Sequence, residues 1–275
     1  MTTILPARHL RRGALIAAIV ALLAGALAAS NSSAARAQQA GVKPTIVLVH
    51  GAFADASSWT GVITRLQRDG YNVIAPANPL RSLSGDSSYI AGVLAPTPGP
   101  IVLVGHSYGG AVITNAAAGN PNVKALVYVD AFIPDVGENI FQLAGTGSQL
   151  GGALEFQGYP PFGQTDAEAL IKPAMLHEVF AADLSAGTAA VMAAAQRPLA
   201  LAAGEETTQA TAWRTIRSWD VIGLADRAIT PDEQLFMAHR ANARITEIPD
   251  GSHVSMISHP DTVTRVIEQA ATATG

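Results

Sequence analysis

Apolar residues fall along this chain in two alternating rhythms. Thr45–Val49 (TIVLV), Ile101–Val104 (IVLV) and Val123–Val129 (VKALVYV) are short, nearly continuous apolar runs rich in β-branched residues. That is the pattern of strands buried on both faces. Tyr71–Ala75 (YNVIA) is a shorter run of the same kind. Between them, Trp59, Val62, Ile63 and Leu66 recur at helical spacing, and Gly70 stands where a C-cap belongs. Ser88–Leu94 predicts a second helix. Tyr108–Gly119, small and apolar, predicts a third packed closely on a sheet. Pro96, Pro98, Gly99 and Pro100 break the chain ahead of the Ile101 run.

Past Ile133 the alternation stops. As far as about Thr215 the chain is rich in Ala, Gly and Leu, with no clear strand. Helices are predicted over Asp166–Leu184 and Thr188–Ala203, and an irregular loop over Gly158–Gly163. Strand signals return at Ser218–Leu224 and Ala243–Ile248, with a helix from about Pro231 to Ala241 between them and an amphipathic helix over His259–Ala270. The pattern predicts an α/β domain over residues 38–275: a mostly parallel sheet with helices on both faces, and a helical cap inserted over about residues 133–215.

The amino end follows a different rule. Arg8, Arg11 and Arg12 precede an almost wholly apolar stretch, Gly13–Ala29, and a polar segment ending in Ala35-Arg36-Ala37. Basic, apolar, then A-x-A is the order of a secretory signal peptide, here residues 1–37 with the cut after Ala37. An uncleaved anchor is the alternative reading of the same run. Export to a periplasm or to the medium is the expectation, with no membrane association once the signal is removed. Arg11-Arg12 alone is weak evidence for twin-arginine export.

Composition narrows the chemistry. The 275 residues suffice for one large α/β domain, and 49% hydrophobic with 14% charged residues is not a disordered composition. A net charge of -4 without a basic tract argues against nucleic acid as a partner. With no cysteine, disulfides, Cys-ligated zinc and thiol catalysis are excluded.

Gly105-His106-Ser107-Tyr108-Gly109 matches G-x-S-x-G between a predicted strand and a predicted small-residue helix, where a nucleophile elbow must lie. So tight a turn strains the serine backbone and leaves no room for bulky neighbours two residues away. A serine hydroxyl needs a base within hydrogen-bond reach and a group to orient that base, in the chain order Ser, acid, His. Of His177, His239, His253 and His259, only His253 follows a strand directly, in Asp250-Gly251-Ser252-His253. Asp226 follows the strand ending at Leu224 and is the candidate acid. Asp130, one strand over, and Asp250 are its rivals, and capping of the next helix is its bland alternative. Candidate oxyanion-hole donors are the N–H groups of Tyr108 and Ala52, with Phe53 the second choice in place of Ala52. Phe53 and Trp59 also read as core residues.

The runs LVHGAFADASSW, APANPL, VLVGHSYGG, ADRAITP and GSH resemble the α/β-hydrolase superfamily. More closely they resemble the bacterial esterase-like group related to plant methyl esterases and hydroxynitrile lyases. The resemblance runs from about Lys43 to Ala270 and is weakest in the cap. It implies a Ser107–Asp226–His253 triad, no cofactor, and a small ester pocket under the cap. The plant lyases carry a threonine after the first histidine and a lysine after the catalytic one. Here those positions are Gly51 and Val254, which disfavours lyase chemistry.

The expected partner is a small-molecule ester; neither a cofactor nor a bound metal is called for, and a homodimer stays open. The cap's apolar residues Phe141, Leu143, Phe162, Met175, Phe180 and Met192 suit an uncharged substrate, although each alone reads as core. Lyase or perhydrolase chemistry on the same triad, and a non-enzymatic small-ligand-binding protein, are the alternatives.

Overall fold

In the computed structural model, which describes residues 43–159 and 166–274, six strands make one wholly parallel sheet. They are β1 (Thr45–Val49), β2 (Val73–Ile74), β3 (Ile101–His106), β4 (Val123–Val129), β8 (Arg217–Gly223) and β9 (Arg244–Ile248), in the spatial order β2-β1-β3-β4-β8-β9. Every residue of β1 and β3 is buried, as their uninterrupted apolar runs require. The predicted signal peptide and Phe162 lie outside the described residues, as does most of the predicted Gly158–Gly163 loop.

Helices α1 (Thr60–Arg68), α2 (Leu83–Leu94), α3 (Tyr108–Ala116), α9 (Pro231–Arg240) and α11 (Pro260–Thr272) connect or follow these strands. The second begins a full turn before the apolar spacing predicts. Ser82 caps it by accepting the Gly85 N–H, and side-chain capping of that kind satisfies an orphan donor of the first turn. No helix of the described residues is long and apolar enough to cross a membrane.

The segment between β4 and β8 departs from the helical expectation. It holds α4 (Ile140–Leu143), α5 (Leu150–Ala153), α6 (Pro173–Phe180), α7 (Ala186–Ala194) and α8 (Leu201–Glu205), whereas the short helix α10 (Ser255–Ser258) lies beyond β9. It also holds an antiparallel sheet of β5 (Leu154–Tyr159), β6 (Asp166–Ile171) and β7 (Leu199–Ala200). The predicted helix over Asp166–Leu184 is therefore a strand followed by a helix, and that over Thr188–Ala203 is helix, strand and helix. Ala, Glu and Leu favour a helix locally, but six residues of β5 pair with β6 from Leu154↔Ile171 to Tyr159↔Asp166, and pairing overrides propensity. Pro173 at the first turn of α6 marks the boundary, since proline is tolerated there and not in a helix interior.

Candidate active site

Ser107 sits between β3 and α3 with φ 52° and ψ −124°, a left-handed backbone that a non-glycine residue adopts only under constraint. The flanking glycines permit it. A Cβ on Gly105 would lie 2.5 Å from the Gly109 carbonyl oxygen, and one on Gly109 would lie 2.6 Å from that of Val49. Local sequence and local geometry agree here.

Ser107 Oγ lies 2.8 Å from His253 Nε2, and His253 Nδ1 lies 2.7 Å from Asp226 Oδ2. A carboxylate can only accept, so Nδ1 carries the proton and Nε2 is free to accept from the serine hydroxyl. Asp226 also accepts from the N–H groups of Ala228 (2.7 Å) and Ile229 (3.0 Å) and from Gln234 Nε2 (2.7 Å). It thus closes a turn ahead of α9, whose N-cap position is Thr230 and not Asp226, and reaches the imidazole as well. Burial pulls the His253 pKa down, but the charge and hydrogen bond of Asp226, with the charge of Asp130, outweigh it, and the imidazole ends above its ordinary value of 6.5.

The loop after β1 lies against this chain. A Cβ on Gly51 would come within 2.6 Å of Ser107 Cβ. His50 Nε2 accepts the Asn78 N–H (2.9 Å), so its Nδ1 is protonated and donates to the Gly51 carbonyl (2.9 Å). Burial keeps His50 below its ordinary pKa and hence neutral. With the Gly51 carbonyl held, the planar peptide turns the Ala52 N–H the opposite way. Among the described residues neither Ala52 N–H nor Tyr108 N–H has an acceptor, whereas Phe53 N–H is engaged by the Arg197 carbonyl (3.1 Å). Ala52 and Tyr108 are the two available donors.

The remaining candidates fall elsewhere. Asp250 is exposed and 3.5 Å from His259. His177 contacts the Leu184 carbonyl in the cap, and His239 is on the exposed side of α9. Asp130 is fully buried but its carboxylate contacts Gly223 and Ser255, not the imidazole. Trp59 is fully buried and packs edge-on to His106, as a core residue does.

Several supporting residues escape a reading of sequence. The Phe180 ring, from the cap, lies 4.8 Å from the His253 ring. Asp183, also from the cap, accepts the Ser252 N–H at 3.0 Å. Tyr108 Oη donates to the buried Asp86 (2.7 Å), which also takes the Arg81 N–H. Apart from the Arg81–Asp86 bond, which spans five positions, these contacts join residues 22 to 73 positions apart, where no local motif operates. Gln234, eight residues after Asp226 on the next helix, is one a helical-wheel argument could have found.

Beside Ser107 lies a small, partly open and largely apolar cavity of about 40 Å³. Ala52, Phe53, Ser107, Tyr108 and Phe132 form its base, and α4, α5 and the β5–β7 sheet form the roof. The small sheet, not a helical layer, thus supplies Leu154, Ala169 and Leu199 to the wall. Of the cap's apolar residues, Phe141 lines the cavity, Leu143 is buried, and Met175 and Met192 pack against the core.

The profile of the Alpha/beta hydrolase family matches residues 46–266. A carbendazim-hydrolyzing esterase of Nocardioides sp. (strain SG-4G) is 36% identical over 110 residues, 35% of this chain and 46% of that protein, so the match spans about half of that relative's length. The alpha/beta hydrolase nvfD of Aspergillus novofumigatus (strain IBT 16806) is 27% identical over 256 residues, covering 84% and 97% of the two chains. Among solved structures, that of polyneuridine aldehyde esterase superposes with a TM-score of 0.73 at 19% identity, covering 83% of this chain and 99% of that one. At that identity the likeness speaks for the fold alone.

Proposed function

The chain belongs to the alpha/beta hydrolase family, and on that premise we propose that it is an exported serine esterase acting on a small, largely apolar carboxylic ester. His253 Nε2 takes the proton of Ser107 as Oγ attacks the ester carbonyl. The Ala52 and Tyr108 N–H groups receive the oxyanion. His253 returns the proton to the departing alcohol, and water then cleaves the acyl-enzyme by the same route. Asp226 holds the imidazole tautomer and stabilises the imidazolium while it exists.

The observation that carries this reading is the unbroken chain of hydrogen bonds from Ser107 through His253 to Asp226, with an apolar cavity at its serine end. Among the described residues no charged side chain lines that cavity, and the Tyr108 hydroxyl is committed to Asp86. An uncharged group is what such walls accommodate.

The cavity also supports an assignment of sides. His253 is not among its walls, and the alcohol must depart next to His253 to receive its proton. The cavity therefore seats the acyl group. At about 40 Å³ it is well below the roughly 150 Å³ that admits benzene, so a short unbranched acyl chain enters without rearrangement.

The test is a series of p-nitrophenyl esters, acetate to decanoate, on protein beginning at Gln38, with fluorophosphonate labelling alongside. Turnover and labelling, both lost in Ser107→Ala, are expected. Folded protein that neither turns over nor labels would assign a binding role. Labelling with cyanide release from a cyanohydrin, and no ester cleavage, would assign lyase chemistry. Amino-terminal sequencing of the secreted protein tests the export part separately; a mature end at Gln38 is expected.

A further inference from the structure

We propose that Asp130 is a positioning residue for this site: its buried carboxylate pins the loop carrying Asp226 and the loop carrying His253 to the strand that backs Ser107. The inference rests on the serine esterase reading above.

Asp130 follows β4, the neighbour of β3. The bonds on either side of it hold the elbow itself: Val129 O accepts the Ser107 N–H (3.3 Å), and the Phe132 N–H donates to Ser107 O (3.2 Å). Its side chain reaches the other two members. Asp130 Oδ1 accepts the N–H of Gly223 (2.9 Å), which ends β8 and whose carbonyl takes the Asp226 N–H (3.1 Å). Asp130 Oδ2 accepts the N–H of Ser255 (2.8 Å), two residues past His253, and the Ser255 hydroxyl donates to Oδ1 (3.1 Å).

The chemistry at this position asks for a carboxylate. Both oxygens face donors, so an amide would set its NH2 against a backbone N–H. The backbone is also constrained: Asp130 has φ 46° and its N–H is held by the Val221 carbonyl at 2.8 Å. A strained non-glycine residue with a buried charge is costly in a core, and it persists where the surroundings determine it. A plain packing residue would need neither feature.

Three titratable groups face it: Asp226 and His253 from the two loops, and Asp220 from β8. His106, on β3, lies behind His253 with ring centres 5.0 Å apart. Burial, then the charge of Asp226, raises Asp130 to about 7. In return, the Asp130 charge helps raise His253. Losing that charge should move the imidazole to lower pKa, an effect that loss of packing would not produce.

The experiment compares wild type, Asp130→Asn, Ser255→Ala and Asp226→Asn by kinetics on p-nitrophenyl butyrate from pH 4 to 10. The imidazole titration of His253 is followed by NMR. In Asp130→Asn, kcat should fall about 10–100-fold through displacement of the base, with KM little changed and the acid limb of kcat/KM moved to lower pH. Ser255→Ala, which keeps the charge, should lower kcat by less and leave the limb in place. Wild-type kcat and limb in a folded Asp130→Asn would overturn the proposal. So would a loss as complete as that of Asp226→Asn, which would make Asp130 the triad acid. If Asp130→Asn does not fold, an unchanged kcat in Ser255→Ala overturns it instead. Should wild type show no turnover or labelling, the esterase reading fails by itself, and the NMR titration still decides whether Asp130 acts on His253.

Discussion

His106 Nε2 lies 2.8 Å from the backbone carbonyl of His253, so the residue before Ser107 holds the loop that carries the His253 imidazole. The carbonyl can only accept, which places the proton on Nε2 and leaves Nδ1 bare. Burial, then the charge of His253, keeps His106 far below its ordinary pKa, so it stays neutral. His106→Phe keeps a ring against Trp59 and Phe180, whose centroids lie 6.4 and 6.3 Å away, but removes the donor. The expected cost is about 1–3 kcal/mol from the stranded carbonyl, measured by urea unfolding, together with a lower kcat. A variant as stable and active as wild type would show that the bond contributes nothing.

The pH profile has a stated direction. His253 must be neutral to accept the serine proton, and its pKa is raised above 6.5. Activity should therefore appear as pH rises through a value above 6.5, and fade below it. Asp226→Asn removes the charge that raises it, moving the limb to lower pH while kcat falls by about 10⁴-fold. A pH–rate profile of kcat/KM for both proteins checks this.

Phe141 is the one exposed residue among the cavity walls, at 44% exposure, and its ring is seated on Gly204. It stands between the cavity and solvent. Phe141→Ala should move the optimum acyl length of the p-nitrophenyl series upward and leave the preference among alkyl acetates unchanged. A change confined to the alcohol series would place the leaving group in the cavity instead.

Asp220 is fully buried on β8, its side-chain oxygens find no hydrogen bond of good geometry among the described residues, and burial, then the charge of Asp130, holds its pKa well above 3.8. The folded state thus keeps a proton that the unfolded chain releases near its ordinary pKa. Its contribution is present at low pH and is lost as pH rises toward the folded value. Asp220→Asn should be more stable than wild type at pH 8, with a smaller difference at pH 4. Urea unfolding at the two pH values checks the sign; equal differences would show that Asp220 does not titrate in the fold.

Much of this protein is written locally. The buried strands are legible because a parallel sheet covered on both faces demands unbroken apolar runs, and β1 and β4 begin and end where those runs do. Ser107 is legible because its turn admits only glycine two residues to either side, and His253 because a loop after a strand opens at the same sheet edge. What the tertiary structure decided is whatever depends on partners distant in sequence. Residues 166–171 carry helix-favouring side chains and became a strand because β5 lay beside them. Asp226 and Asp130 both end strands near the histidine, and no local feature separates them. The fold does so by directing one carboxylate to the imidazole and the other to the backbone of Gly223 and Ser255. Sequence fixes which groups are available at a sheet edge, but hydrogen-bond direction over a few ångströms is set by packing, and packing is a property of the whole chain.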